Sequence, residues 1–167
     1  MAEAGHEVFA IADMARAPRL YSLISTLHPL DAPCLFAGNI GEELRQASPF
    51  LFPLRAAPRI ADLWREEGAG QSWGIFITST LGLEAVRRHV RHFLQVRLPD
   101  GTGPVLFRFW DPRVLHPFLS ASEPDHLQRL FAKVSSYVVE TPQGLERFVL
   151  AGGQLRSMPA DWSQLAA

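Results

Sequence analysis

The sequence predicts a single α/β domain, a mixed sheet flanked by helices, with α+β as the alternative arrangement of the same elements. Three observations carry this. Short apolar runs of strand length alternate with amphipathic helical stretches as far as residue 78, the pattern of strands joined through helices in a partly parallel sheet. Residues 71–119 read as strand, helix, hairpin and short helix, and a hairpin pairs antiparallel. With 167 residues, 47% hydrophobic and 20% charged, the chain has the size and composition for one real core.

The first strand is predicted at residues 8–12, ending at Asp13, and an amphipathic turn or helix at 19–24 after Pro18. Cys34-Leu35-Phe36 forms a second short strand stopped by Gly38-Asn39, and residues 42–47 a brief helix. Residues 50–54 give a third strand, which Pro49 and Pro53 place at a sheet edge. A helix over 59–67 buries Ile60, Leu63 and Trp64 and closes at Gly68.

The central stretch is the most informative. Residues 73–78 (WGIFIT) form a buried strand, after which Ser79 or Thr80 is placed to cap a helix. Leu83, Val86, Val90 and Phe93 line one side of that helix, and Glu84, Arg87, Arg88 and Arg91 the other. Glu84 supports Arg88 at i,i+4, but Arg87 faces Arg91. Residues 95–98 and 105–109 then pair around PDGTGP, with Val96 and Leu98 beside Val105 and Phe107, so that Arg97 and Arg108 share the opposite face. Asp111 before Pro112 is an N-cap with Pro at the first helical position, opening a helix over 112–119. A further helix over 124–133 and a hairpin of 137–139 with 147–150, around Thr141-Pro142-Gln143-Gly144, follow. Gly152-Gly153 then releases a tail, loosely docked or ordered by a partner.

Composition narrows the function. A formal net charge of -1 is unlike the basic excess of dedicated nucleic-acid binders. All basic residues but Lys133 are arginines, which favours bidentate pairing with carboxylates. The single cysteine, Cys34, excludes an internal disulfide and a cysteine-based zinc site. The opening MAEAGHEVFAIAD lacks the apolar core and basic flank of a secretory signal, and no apolar run has membrane-spanning length. A cytoplasmic location is expected, with neither a nucleic acid nor a membrane as partner.

The phrases SWGIF, RRHVRHFL, VRLPDG and above all VLFRFWDPRVL, with ADMARAPRLYSLI upstream, resemble the domain of unknown function of bacterial type VI secretion effector adaptors, the Tap or TEC chaperones. The resemblance spans residues 9–131 and departs at Trp110, where the family more often has Tyr. Residues 132–167, the closing hairpin and tail, lie outside it. It implies a single adaptor-like domain over residues 1–167, without cofactor or catalysis, that binds a cognate toxic effector and helps load it onto the VgrG spike.

His89 and His92 are close enough on a helix to share a metal, but no cysteine or carboxylate ligand accompanies them, and two solvated histidines among arginines is the plainer reading. Cys34 with a distant His suggests a nucleophile, yet no nucleophile motif, P-loop or dinucleotide fingerprint is present. A small α/β hydrolase or ligand-binding enzyme with Cys34 or a His in a cleft is the alternative function. Arg87, Arg88, Arg91 and Arg97 are the expected partner-binding residues, a merely solvated face being their other reading. Trp73, Arg108, Asp111 and Arg113 are the expected structural network, with Arg108 and Asp111 as an internal pair. Trp73, Phe107 and Trp110 are expected in the core. A deep polar pocket with an acid and a base would favour the enzyme; a broad apolar groove rimmed by arginines would favour the adaptor.

Overall fold

The computed structural model describes residues 5–165. Residues 1–4 and 166–167, which belong to the opening and the tail read above, lie outside the described residues. Six strands, β1 (Glu7–Asp13), β2 (Pro49–Pro53), β3 (Gly74–Ser79), β6 (Ser136–Thr141), β7 (Gly144–Ala151) and β8 (Gln154–Ala160), form one sheet in the order β2-β1-β3-β6-β7-β8. A separate short hairpin is made by β4 (Gln95–Val96) and β5 (Val105–Leu106).

One domain of helices packed on a sheet is what the sequence predicts, but the strand directions correct the partly parallel reading: every pairing is antiparallel. The reason is specific. The chain passes from β2 to β3 through α3 (Pro58–Leu63) and a π turn (Trp64–Gly68), and those two strands do run parallel, since both are antiparallel to β1. β1 is inserted between them, so the crossover is split and no parallel ladder forms. The β1–β2 connection carries two helices, α1 (Pro18–Ile24) and α2 (Glu42–Arg45), which return the chain antiparallel. Cys34-Leu35-Phe36 is no strand; Cys34 makes an isolated bridge to Phe50, flanked by Leu35 N–H to Pro49 O and Leu51 N–H to Pro33 O.

Over β1, β2, β3 and β6 helices cover both faces, so strand residues there alternate between two cores rather than between core and water, whereas β7 and β8 are largely exposed or half-buried. Phe9, Ile11, Leu51, Ile75, Ile77 and Tyr137 point into one core, shared with α4 (Leu83–Arg91), α5 (Pro112–Ala121) and α6 (Pro124–Leu130). Ala10, Ala12, Phe50, Phe52, Phe76 and Val138 point into the other, with Leu20 of α1, Ile60 of α3 and Trp64. Where β3 starts, Gly74 lies so close to β1 that a Cβ would meet the Ile11 carbonyl oxygen at 1.9 Å.

The tail is not released. Gly152 and Gly153 take φ of 58° and 76°, the left-handed pair of a two-residue hairpin loop, and β8 then pairs with β7 from Gln154 to Ala160. Helix α7 (Trp162–Leu165) follows, its Trp162 ring edge-on to Phe76 at 5.2 Å and its Leu165 buried. Among the described residues, no helix is long and apolar enough to cross a membrane.

Candidate docking groove

The segment leading from β5 into α5 is held by two buried carboxylates. Asp13, at the end of β1, is 2% exposed and accepts from Arg108 Nη2 at 2.5 Å and from Trp110 Nε1 at 3.1 Å, while its other oxygen accepts from the Ala15 N–H. Asp111 caps α5 as expected, its Oδ1 accepting from Arg113 N at 3.0 Å. The expected Arg108–Asp111 ion pair is not there. Arg113 Nε and Nη2 already grip the Asp111 carboxylate at 2.9 and 2.6 Å, leaving Arg108 for Asp13. Burial pushes the Asp111 carboxyl up, but the bonds from Arg113 and the charges of Arg113 and Arg108 outweigh it and hold it below the usual aspartate value.

α4 starts later than predicted, with Gly82 at its N-cap; Ser79 Oγ instead donates to Lys133 O and accepts from Leu81 N–H. Val86 and Val90 are fully buried, as the helical spacing requires. His89 corrects the solvated reading: it is buried, and its Nε2–H donates to the Leu130 carbonyl at 2.8 Å. The Tyr137 hydroxyl donates to the same oxygen at 2.8 Å. Leu130 ends α6, where a carbonyl has no intrahelical donor, so these two side chains supply what the helix end lacks and join α4, α6 and β6. Burial holds His89 below the ordinary imidazole value and raises the Tyr137 phenol.

Beside this junction lies a groove of about 790 Å³, bounded by α4, the β4–β5 hairpin, α5 and α6. Its floor is apolar: Phe93, Val96, Leu98, Phe107, Phe118 and Leu130. Phe107, expected in the core, is half-buried, stacked at a tilt on Phe118 at 4.6 Å, and presents surface to the groove. The rim is basic. Arg97, Arg129 and Lys133 stand around it with His92 and His126, and no acidic side chain lines it.

The four arginines expected to bind a partner are divided by the fold. Arg97 lines the groove; Arg87, Arg88 and Arg91 do not. On α4 the groove flank carries His89, His92 and Phe93, roughly half a turn away from Arg87 and Arg91. Glu84 lies 3.5 Å from Arg87 and 3.8 Å from Arg88, so the repulsion expected among these arginines is partly relieved within the helix. Nor do Arg97 and Arg108 share a face of a long hairpin: the ladder pairs only Gln95 with Leu106 and Val96 with Val105, and Arg108 turns to β1. Arg129 and Lys133 were not singled out from the sequence. Their signal was there, in the spacing of His126, Arg129, Leu130 and Lys133 at i, i+3, i+4 and i+7.

Trp73 is buried, its ring 6.3 Å from Trp64 in the core on the far side of the sheet from the groove. Cys34 is buried in that same core. Among the described residues, no group of three His, Cys, Asp or Glu side chains is placed to hold a metal ion.

Residues 8–129 match the family described as Domain of unknown function (DUF4123). The chain belongs to the DUF4123 family. No curated protein and no solved structure matches it. The DUF4123 match runs from β1 almost to the end of α6 and so contains the Asp13–Arg108 node, α4, the hairpin and most of the groove. The β6–β7–β8 meander lies beyond it.

Proposed function

We propose that this DUF4123 protein is a non-catalytic adaptor of a type VI secretion system, which binds a toxic effector in the cytoplasm and helps load it onto the VgrG spike. The observation that carries this is the groove: an open, apolar, aromatic-floored surface with a basic rim, the kind of exposed apolar patch that marks a protein-interaction site. The resemblance of residues 9–131 to type VI secretion effector adaptors supplies the secretion context, with which membership of the DUF4123 family is compatible. Against the Cys34 form of the hydrolase alternative, Cys34 is packed in the same core as Phe50 and Phe52 on the opposite face of the sheet, away from every groove histidine; against its histidine form, no carboxylate stands among the groove residues to pair with His89, His92 or His126 as acid and base.

The test is co-expression with the effector encoded beside it. A stoichiometric complex that survives size exclusion, and an effector that becomes soluble or exported only in its presence, is the expected result. Catalytic turnover that survives purification and is abolished by Cys34→Ala or by a single-histidine substitution would overturn the reading.

A further inference from the structure

The groove's chemistry specifies its occupant more closely than "a protein". We infer that it receives an acidic amphipathic α-helix of the partner, whose apolar stripe covers Phe93, Phe107 and Phe118 and whose flanking carboxylates meet Arg97, Arg129 and Lys133. This deepens the adaptor reading and rests on it.

Charge is the first argument. Three cationic side chains and no acidic one surround the floor, and Arg97, Arg129 and Lys133 have no ion-pair partner among the described residues. Seven of the other thirteen arginines do have one, among them Arg108 on Asp13, Arg113 on Asp111, Arg55 on Glu7 and Arg19 on Glu67. The rim therefore holds cations left over for an external carboxylate, and the arginines offer it bidentate bonds.

Backbone satisfaction is the second argument. On the helical side the walls are His89 of α4 and His126, Arg129 and Leu130 of α6, whose peptide groups lie within their own helices, and Leu130 O, at the helix end, is already taken by His89 and Tyr137. The nearby ladder is only two residues long on each strand. An extended peptide laid over this floor would find at most a two-residue strand edge to pair with, whereas a helix satisfies its own peptide groups. Exposed Leu98, 43% accessible at the hairpin end of the groove, extends the apolar stripe by one more contact.

The probe is a fluorescein-labelled 18-residue peptide with leucines at i, i+3, i+4 and i+7 flanked by glutamates, titrated into the full chain and followed by anisotropy. Two controls accompany it: the same peptide with every Glu replaced by Lys, and one broken by a central proline. We expect the Glu peptide to bind, gaining helicity and shifting the His92 and His126 ring signals, and both controls to bind at least tenfold more weakly. Arg97→Glu with Arg129→Glu, both at exposed positions, should weaken the Glu peptide about tenfold or more and rescue the Lys peptide, with an unchanged melting temperature. Equal binding of the Glu and Lys peptides, or of the helical and proline-broken ones, overturns the inference. So does self-association of the chain that Phe118→Glu abolishes, which would make a second copy the occupant, and so does tighter binding to phosphatidylglycerol vesicles than to the peptide. The double variant then separates this inference from the adaptor reading. If the effector binds wild type and variant equally, the groove assignment falls and the adaptor stands; if it binds neither, the adaptor reading falls.

Discussion

Arg108 reaches back 95 positions along the chain to Asp13, joining the segment that enters α5 to the end of β1. The two partners differ in their access to water: the Arg108 side chain is 44% exposed and that of Asp13 only 2%. Removing the arginine therefore leaves a buried carboxylate with only the Trp110 and Ala15 donors, whereas the arginine without its partner can turn to solvent.

Arg108→Ala should accordingly cost about 3 kcal/mol, the usual scale for a buried charge that loses its partner. Asp13→Asn with Arg108→Ala should recover part of that loss, because the amide carries no charge, although it offers one acceptor oxygen where the carboxylate offers Trp110 and Ala15 one each. Urea denaturation of the single and double variants checks this. A double variant no more stable than Arg108→Ala alone would show that the pair is not what the fold depends on.

The second carboxylate is separable from the first. Asp111→Ala removes the α5 cap and should cost about 1 to 2 kcal/mol, Asp111→Asn appreciably less because Asn also caps, and Arg88→Ala under about 0.5 kcal/mol, since it is mostly exposed and 3.8 Å from Glu84. The pH dependence has a definite sign. The folded Asp111 carboxyl lies below its ordinary value of 3.8, so its contribution is full above that value and is lost as pH falls through the depressed folded value. Acid melts of wild type and Asp111→Asn should therefore diverge at neutral pH and converge below pH 3.8.

Much of the fold was legible in the sequence because helix caps and hairpins are written locally. Asp111-Pro112 gave the start of α5, and Thr141 to Gly144 the turn of the β6–β7 hairpin. Strand direction was not local. Runs such as FAIA and FLF lie in a sheet covered on both faces, so they read as continuous apolar segments, the same signature a parallel sheet leaves. The Asp13–Arg108 pair was out of reach for the same reason: nothing near Arg108 in sequence names an acceptor 95 positions away, and Asp111 was the nearer but already committed acid. Of the groove, Arg97 was identified, but Arg129 and Lys133 enter it only because α6 lies beside α4.

Gly74 sits where the close approach of β3 to β1 leaves no space for a side chain. Gly74→Ala would drive a methyl group to 1.9 Å from the Ile11 carbonyl oxygen, with the Trp64 ring at 3.0 Å as a second obstacle. Backbone on one side and a packed indole on the other cannot both give way, so the loss should be about 3 kcal/mol or more. Gly70→Ala is the control: its φ of 77° is unfavourable for alanine, but its Cβ would meet nothing within 4 Å, and about 1 kcal/mol is expected. Comparable losses in the two variants would mean that β3 and β1 are farther apart in solution.

His89 forms part of one wall of the groove and binds Leu130 O through Nε2. Protonating the ring breaks no hydrogen bond, since Nε2–H donates in either form; what opposes the proton is first burial, then the charges of His92 and Lys133. Arg129 and His126, on the facing wall, add to a surrounding of the same sign. The folded imidazole is thus depressed below its ordinary value of 6.5, so on acidification the unfolded chain takes up this proton first. Stability supplied by the neutral ring is complete above pH 6.5, declines as pH falls from there to the depressed folded value, and is flat below it. His89→Gln keeps a donor for Leu130 O and has nothing to titrate. The stability difference between wild type and this variant, measured by urea denaturation at half-unit steps from pH 7.5 to about pH 4, should therefore shrink or reverse in wild type's disfavour on the acid side. A difference constant across that range would place His89 in water, and would remove the contact that fixes α4 against α6 along the groove.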